Sequence, residues 1–136
     1  MNAVDTNVLL YVHDYRAPAK QAIAKALVDS LSDVILLWQV ACEYIAASRK
    51  FAPLGYSSDK AWQDIRKLRA LWTVQVPVWE VLEQTEVLMR RYSLSSWDAL
   101  LVAACLDAGV TRLYTEDFGD SLRAEGLEVI NPFAAP

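Results

Sequence analysis

Apolar positions along this chain follow two rhythms that alternate. Short unbroken runs, above all Val34-Ile35-Leu36-Leu37-Trp38, have the length of a strand and the continuous apolar character of one buried on both faces. Between such runs the apolar residues recur at helical spacing. Ile23, Ala26, Leu27 and Leu31 do so within a helix predicted over Pro18 to Leu31, with Pro18 suited to its first turn. The same reading predicts a first strand over Ala3-Val4, ending about Thr6, followed by a helical turn. It then predicts a helix from Gln39 to Phe51 stopped by Pro53 and Gly55, and a helix capped at Ser57-Ser58-Asp59 that runs to about Leu71. Thr73 to Val76 reads as a strand halted by Pro77, and Trp79 to Tyr92 as an amphipathic helix. Ser95-Ser96 offers a cap for a helix from Trp97 to Ala108, which ends at Gly109. A strand at Arg112 to Thr115, a short helix at Phe118 to Glu125 and a last strand at Leu127 to Ile130 complete the order. Short apolar strands alternating with helices predict an α/β fold: a mostly parallel sheet of four to five strands with helices on both faces.

Composition narrows the function classes. At 136 residues the chain suits one domain over 1–136, and no repeat, low-complexity tract or linker divides it. Apolar residues make up 54% and charged residues 22%, a globular profile with apolar surface to spare for a subunit contact. The net charge of −4 argues against gripping nucleic acid by bulk electrostatics, yet leaves room for phosphate binding through bound cations, which reverse the local sign. No apolar run reaches the roughly 18 residues of a membrane span. Without a leader-like opening, Cys42 and Cys105 are expected to be buried free thiols in a cytoplasmic protein.

The chemistry lies in the acids. In parallel α/β sheets, sites form beyond the carboxyl ends of the strands, where neighbouring connections diverge. Asp5 falls at the end of the first predicted strand and Asp117 just past the strand Arg112 to Thr115. Glu43 lies in the early turns of the helix after the second strand, and Asp98 in the first turn of its helix. Each has an ordinary alternative: a turn former at Asp5, a helix cap at Asp117, a favourable anion at a helix start for Asp98, an exposed helix residue at Glu43. Four separate coincidences on one edge are harder to accept. Glu43 is the most telling, since Val40-Ala41-Cys42 and Tyr44-Ile45-Ala46-Ala47 surround it and an acid there needs a cationic partner that the local sequence does not offer. A hard divalent cation satisfies it: Mg²⁺ needs only one or two carboxylates beside water and substrate phosphate oxygens. Carboxylates without His or Cys disfavour zinc, and the lone His13 reads as structural. Such a site suits phosphodiester hydrolysis, where the cation activates water, fixes the phosphate and offsets charge on the leaving oxygen.

Val4-Asp5-Thr6-Asn7-Val8-Leu9-Leu10 resembles the opening signature of PIN-domain ribonucleases. Trp97-Asp98-Ala99-Leu100-Leu101-Val102-Ala103-Ala104 is similar to their third acidic motif, Leu113-Tyr114-Thr115-Glu116-Asp117-Phe118 to their fourth, and Glu43 fits the second. The four stand in order over nearly the whole chain. The resemblance implies a toxin of the VapC type from a toxin–antitoxin pair: an endonuclease that cleaves RNA with Mg²⁺ or Mn²⁺, as a homodimer held inactive by its cognate antitoxin protein. It implies that Asp5, Glu43, Asp98 and Asp117 ligate the metal and activate water. Thr6 and Thr115, beside two of the acids, are expected to support them or touch substrate, and Asn7 to brace the site. Asp120 is a candidate fifth acid and Glu116 is expected at the surface. Arg49-Lys50 is the basic pair expected to guide phosphates.

Three rival readings remain. A housekeeping PIN-type RNA-processing nuclease would keep the same site without an antitoxin. A phosphatase of the haloacid dehalogenase type also opens on a strand ending in Asp, but the acid it needs two residues later is here Asn7. A non-catalytic acidic module would bind a partner through Trp62, Trp72, Trp79 and Tyr92, which core and dimer packing explain equally well.

Overall fold

In a computed structural model, which describes residues 1–118 and 123–134, strands and helices alternate as the apolar rhythm predicts. The strands are β1 (Asn2–Val4), β2 (Val34–Leu37), β3 (Thr73–Gln75), β4 (Arg112–Tyr114), β5 (Arg123–Ala124) and β6 (Leu127–Ile130). The helices are α1 (Thr6–Tyr11), α2 (Pro18–Ser30), α3 (Trp38–Ser48), α4 (Ser58–Leu71), α5 (Trp79–Tyr92) and α6 (Ser96–Asp107), with a 3-10 segment over Arg49–Leu54. The sheet order is β3-β2-β1-β4-β6-β5. Five strands run parallel, in register through Ala3 with Ile35 and with Leu113, and Leu113 with Val129. This is the expected α/β architecture, a central sheet between layers of helices.

The unbroken run of β2 is buried along its whole length, as a central parallel strand requires. Ala3, Leu37, Leu113 and Leu127 meet Val8, Val40, Leu88 and Val102 from the helices in one core. Ser57 and Ser95 cap their helices by accepting the N–H of Lys60 at 3.1 Å and of Asp98 at 3.2 Å, and left-handed Gly109 (φ 76°) follows the end of α6. A second polar knot ties α3 to α4. The Tyr44 and Tyr56 hydroxyls share a short hydrogen bond, Tyr56 donates to Asp64 at 2.7 Å, and His13 stacks on the Tyr56 ring at 4.1 Å. His13 is therefore structural.

Four expectations change. The helix predicted to Phe51 ends at Ser48 and tightens into the 3-10 segment that holds Pro53, because a proline lacks the N–H that an α-helix would use. The first strand stops at Val4, and Thr6 already begins α1. The helix predicted over Phe118 to Glu125 is replaced at its far end by β5, which pairs antiparallel with β6. Glu125 and Gly126 both take positive φ (55° and 87°), the two-residue turn whose twist matches a hairpin. Finally, Cys105 is buried as expected but Cys42 is exposed. No helix among the described residues is long and apolar enough to cross a membrane.

Candidate active site

The chain leaving β1 turns to β2 on one side, and the chain leaving β4 runs to β6 on the other. Their connections diverge at neighbouring carboxyl ends, which makes the gap between β1 and β4 the crevice of this sheet. Asp5 and Thr115 stand directly beyond those two strands.

Asp5 is almost fully buried and caps α1. Its Oδ1 accepts the N–H of Thr6 at 2.7 Å, and its Oδ2 accepts the hydroxyl of Thr115 at 2.8 Å. Thr115 is the hub. Its Oγ1 also accepts from the Asn7 amide at 3.2 Å and from the Asp117 N–H at 3.1 Å. Both of those are obligate donors, so the single hydroxyl proton of Thr115 must go to Asp5. Glu43 is held from two sides. The Thr6 hydroxyl donates to its Oε2 at 3.0 Å, and the Gln39 amide donates to its Oε1 at 2.9 Å and reaches the carbonyl of Trp97 at 3.4 Å. Asp98 is half-buried in the first turn of α6, and Asp117 is exposed, three residues past β4.

These carboxylates feel one another. Burial, reinforced by Asp117 and Glu43 and opposed by the bonds from Thr115 and Thr6, pushes the Asp5 carboxyl up to about 6. Asp117 is also raised, first by partial burial, with Asp98, Glu116 and Glu43 adding to it against a bond from Asn7. Among the described residues no Lys, Arg or His makes an ion pair with any of the four. A further signal is the pair of buried acceptors beside them, Asn7 Oδ1 and Gln39 Oε1, which have no hydrogen-bond partner. Acceptor oxygens without donors fit a hydrated hard cation, whose waters would donate to them. Among the described residues no three or more of these side chains are arranged as a ready-made ligand group for an ion.

The structure brings Asp5, Thr6, Asn7, Glu43, Thr115 and Asp117 into one bonded and electrostatically coupled group, with Asp98 coupled through Asp117. It does not bring Arg49-Lys50 there. The helix α3 leads away from the carboxyl edge, so its far end carries that pair to Phe51, over whose ring Lys50 Nζ lies at 5.5 Å. Asp120 lies outside the described residues. Glu116, expected at the surface, is instead bonded to Tyr11 and Lys20. Sequence reasoning missed Gln39 as the second support of Glu43. Its signal was present, since residues four apart share a helix face.

A PIN-domain family profile matches residues 3–121. No curated protein sequence matches the chain. Among solved structures, the chain is similar to the sarcin–ricin-loop-cleaving toxin VapC20 of Mycobacterium tuberculosis, at 21% identity and a TM-score of 0.68, over 88% of this chain and 92% of that one. It is similar to a toxin–antitoxin complex from Klebsiella pneumoniae at 17% identity and a TM-score of 0.71, over 99% of this chain and 100% of that one. It also resembles FitAcB from Neisseria gonorrhoeae at 20% identity and a TM-score of 0.60, over 99% and 100%. At such identities the likeness is one of fold, but the profile spans all four acids at the sheet crevice, and the chain belongs to the PIN-domain family.

Proposed function

We propose that this single domain, residues 1–136, is a divalent-cation-dependent endoribonuclease and the toxin of a toxin–antitoxin pair. The observation that carries the reading is the buried Asp5 carboxylate at the β1–β4 crevice, coupled to Glu43 and Asp117 and, among the described residues, paired with no cationic side chain. Clustered buried acids without a counter-charge are costly unless a cation is to be held there. The oxygen-only donor set points to Mg²⁺ or Mn²⁺. Asp5, Glu43, Asp98 and Asp117 would hold it, and when bound it supplies an activated water and offsets charge on the phosphate.

The remaining roles belong to the chain. Thr115 holds Asp5 and anchors the Asp117 backbone through one hydroxyl, and Asn7 fixes the rotation of that hydroxyl. Thr6 and Gln39 set the direction of Glu43. The Thr6 and Thr115 hydroxyls donate to the acids and the Asn7 amide to Thr115, so we read Thr6, Asn7 and Thr115 as positioning residues rather than direct phosphate contacts. The toxin reading draws support from similarity in fold to the VapC20 toxin and to a toxin–antitoxin complex. Production of the protein without an antitoxin should arrest growth and create RNAs with new, discrete 5′ ends. Growth arrest without new ends would sink the ribonuclease reading, and new ends without arrest would favour a housekeeping nuclease.

We also propose a cytoplasmic homodimer. Leu71, Val76, Val78 and Trp79 are exposed around the edge strand β3, and Trp38 and Trp97 stand exposed on a largely apolar groove of about 550 Å³ between α3 and α6. So much exposed aromatic surface is unusual for a monomer. Light scattering at micromolar concentration is expected to give twice 15.2 kDa, and a particle of 15.2 kDa would refute the dimer.

A further inference from the structure

Glu116 sits between two site residues, Thr115 and Asp117, yet its carboxylate turns away from them. Its Oε1 accepts the Tyr11 hydroxyl at 2.7 Å and its Oε2 accepts the Lys20 ammonium at 2.9 Å. Lys20 also donates to the Tyr11 hydroxyl at 3.3 Å, so the three groups form a closed triangle. The ammonium lies 4.9 Å from the Tyr11 ring centre and 5.7 Å from that of Phe133, and the two rings meet edge to face at 5.0 Å. We propose that Tyr11, Lys20 and Glu116 form a clamp that holds the loop carrying Thr115 and Asp117 against the helix capped by Asp5, and so sets how tightly the acidic centre binds a divalent cation.

Asp5 caps the first turn of α1 and Tyr11 is its last residue, so the two ends of one short helix are each tied to the same loop. At the Asp5 end the ties are the Asp5 N–H to the Tyr114 carbonyl at 2.9 Å and the Thr115 hydroxyl to Asp5. At the other end, among the described residues, the tie is Glu116 to Tyr11, with Lys20 bracing it from α2. A loop tied to one end of α1 can pivot about that tie, whereas a loop tied to both ends cannot. Asp117 is the acid that needs this most. It is more exposed than Asp5, so burial fixes it less firmly than it fixes Asp5. Lys20 has a second effect, since it neutralises a carboxylate that would otherwise add one more negative charge beside Asp117. The clamp residues act through Asp117 and Thr115, which makes them positioning residues.

The inference rests on reading the acids as cation ligands, so its test includes a measurement that needs neither cation nor RNA. Lys20→Met, Glu116→Gln and Lys20→Arg proteins would be compared with wild type by Mn²⁺ titration calorimetry and by amide hydrogen exchange at Asp117, whose N–H bonds to Thr115. Loss of an outer partner of metal ligands weakens affinity by roughly 10–100-fold, so Lys20→Met and Glu116→Gln should raise the Mn²⁺ dissociation constant about tenfold. The Asp117 amide should exchange about tenfold faster while core amides of β2 and β4 keep their wild-type rates. Lys20→Arg, which can still donate to Glu116, should stay near wild type in both. Unchanged affinity, unchanged exchange at Asp117, or faster exchange throughout the core would each overturn the clamp. If the wild-type protein takes up no Mn²⁺, the reading of the acids falls, and the Asp117 amide alone decides whether the loop is clamped.

Discussion

The Asp5→Asn protein is expected to cleave no RNA and, free of metal, to gain stability relative to wild type as the pH rises from 4 to 7. Asp5 is the buried member of the site, joined to the loop after β4 through Thr115. Asn keeps the shape and one acceptor oxygen for the Thr6 N–H, but its amide nitrogen cannot accept the Thr115 hydroxyl, and it loses the charge that would hold a cation. The loss should exceed the roughly 100-fold ceiling that applies to an outer partner, because a ligand itself is removed. Stability moves the other way. The folded-state value of Asp5 lies near 6 against 3.8 for the free group, so the folded protein binds this proton more tightly than the unfolded chain does. Its contribution to stability is thus fully present below about pH 4, falls as pH rises through about 6, and is a full penalty at neutral pH. Removing the charge removes that penalty, about 1–3 kcal/mol at pH 7. Urea unfolding of the metal-free proteins at pH 7 and pH 4 checks it: relative to wild type, Asp5→Asn should be more stable at the first than at the second. Normal turnover by Asp5→Asn would remove Asp5 from the site. An Asp5→Asn protein destabilised equally at both pH values would make its role structural.

Removing divalent cations should silence the wild-type protein altogether. The described part of the site has no histidine beside the acids, burial and the nearby Asp5 charge push the Cys105 thiol up, and the site hydroxyls donate to carboxylates, so none of these groups is poised as a nucleophile or a base for metal-free hydrolysis. With EDTA, cleavage of a single-stranded RNA should fall to background and return with excess Mg²⁺ or Mn²⁺. Thermal unfolding gives an independent reading. A cation that binds only the folded protein raises the melting temperature, and at 100 times its dissociation constant it adds about 2.7 kcal/mol. That gain should vanish in Asp5→Asn. Undiminished cleavage in EDTA would end the metal mechanism, and activation by Mg²⁺ without a thermal shift would move the ion from the acids to the RNA.

The sequence alone determined what a contiguous stretch of chain can determine. The apolar run Val34 to Leu37 had to be a buried strand, Ser57 and Ser95 had to start helices, and alternation of the two periods required a parallel α/β sheet. From that class follows the edge to which Asp5, Glu43, Asp98 and Asp117 were assigned, since Asp5 and Asp117 follow strands, Asp98 opens a helix, and Glu43 lies in the helix that succeeds β2. Resemblance to PIN-domain motifs pointed to the same four residues. Which groups touch was decided only by tertiary structure. Thr115 meets Asp5 across 110 positions because β1 and β4 are neighbours in the sheet, and no local pattern encodes that order. Glu116 looked like a surface residue until α1 and α2 brought Tyr11 and Lys20 against it from about 100 positions away. Arg49-Lys50 shared a helix with Glu43 and looked close to it, yet the direction of α3 across the sheet carries the pair away from the crevice. Cys42, among apolar neighbours, was expected inside and is exposed beside the groove between α3 and α6. Residue spacing specifies faces and periods, which are properties of neighbours in the chain. Strand order, helix direction and the partner of each buried polar group are set by how those faces are assembled, and there the burial of the whole core outweighs any local preference.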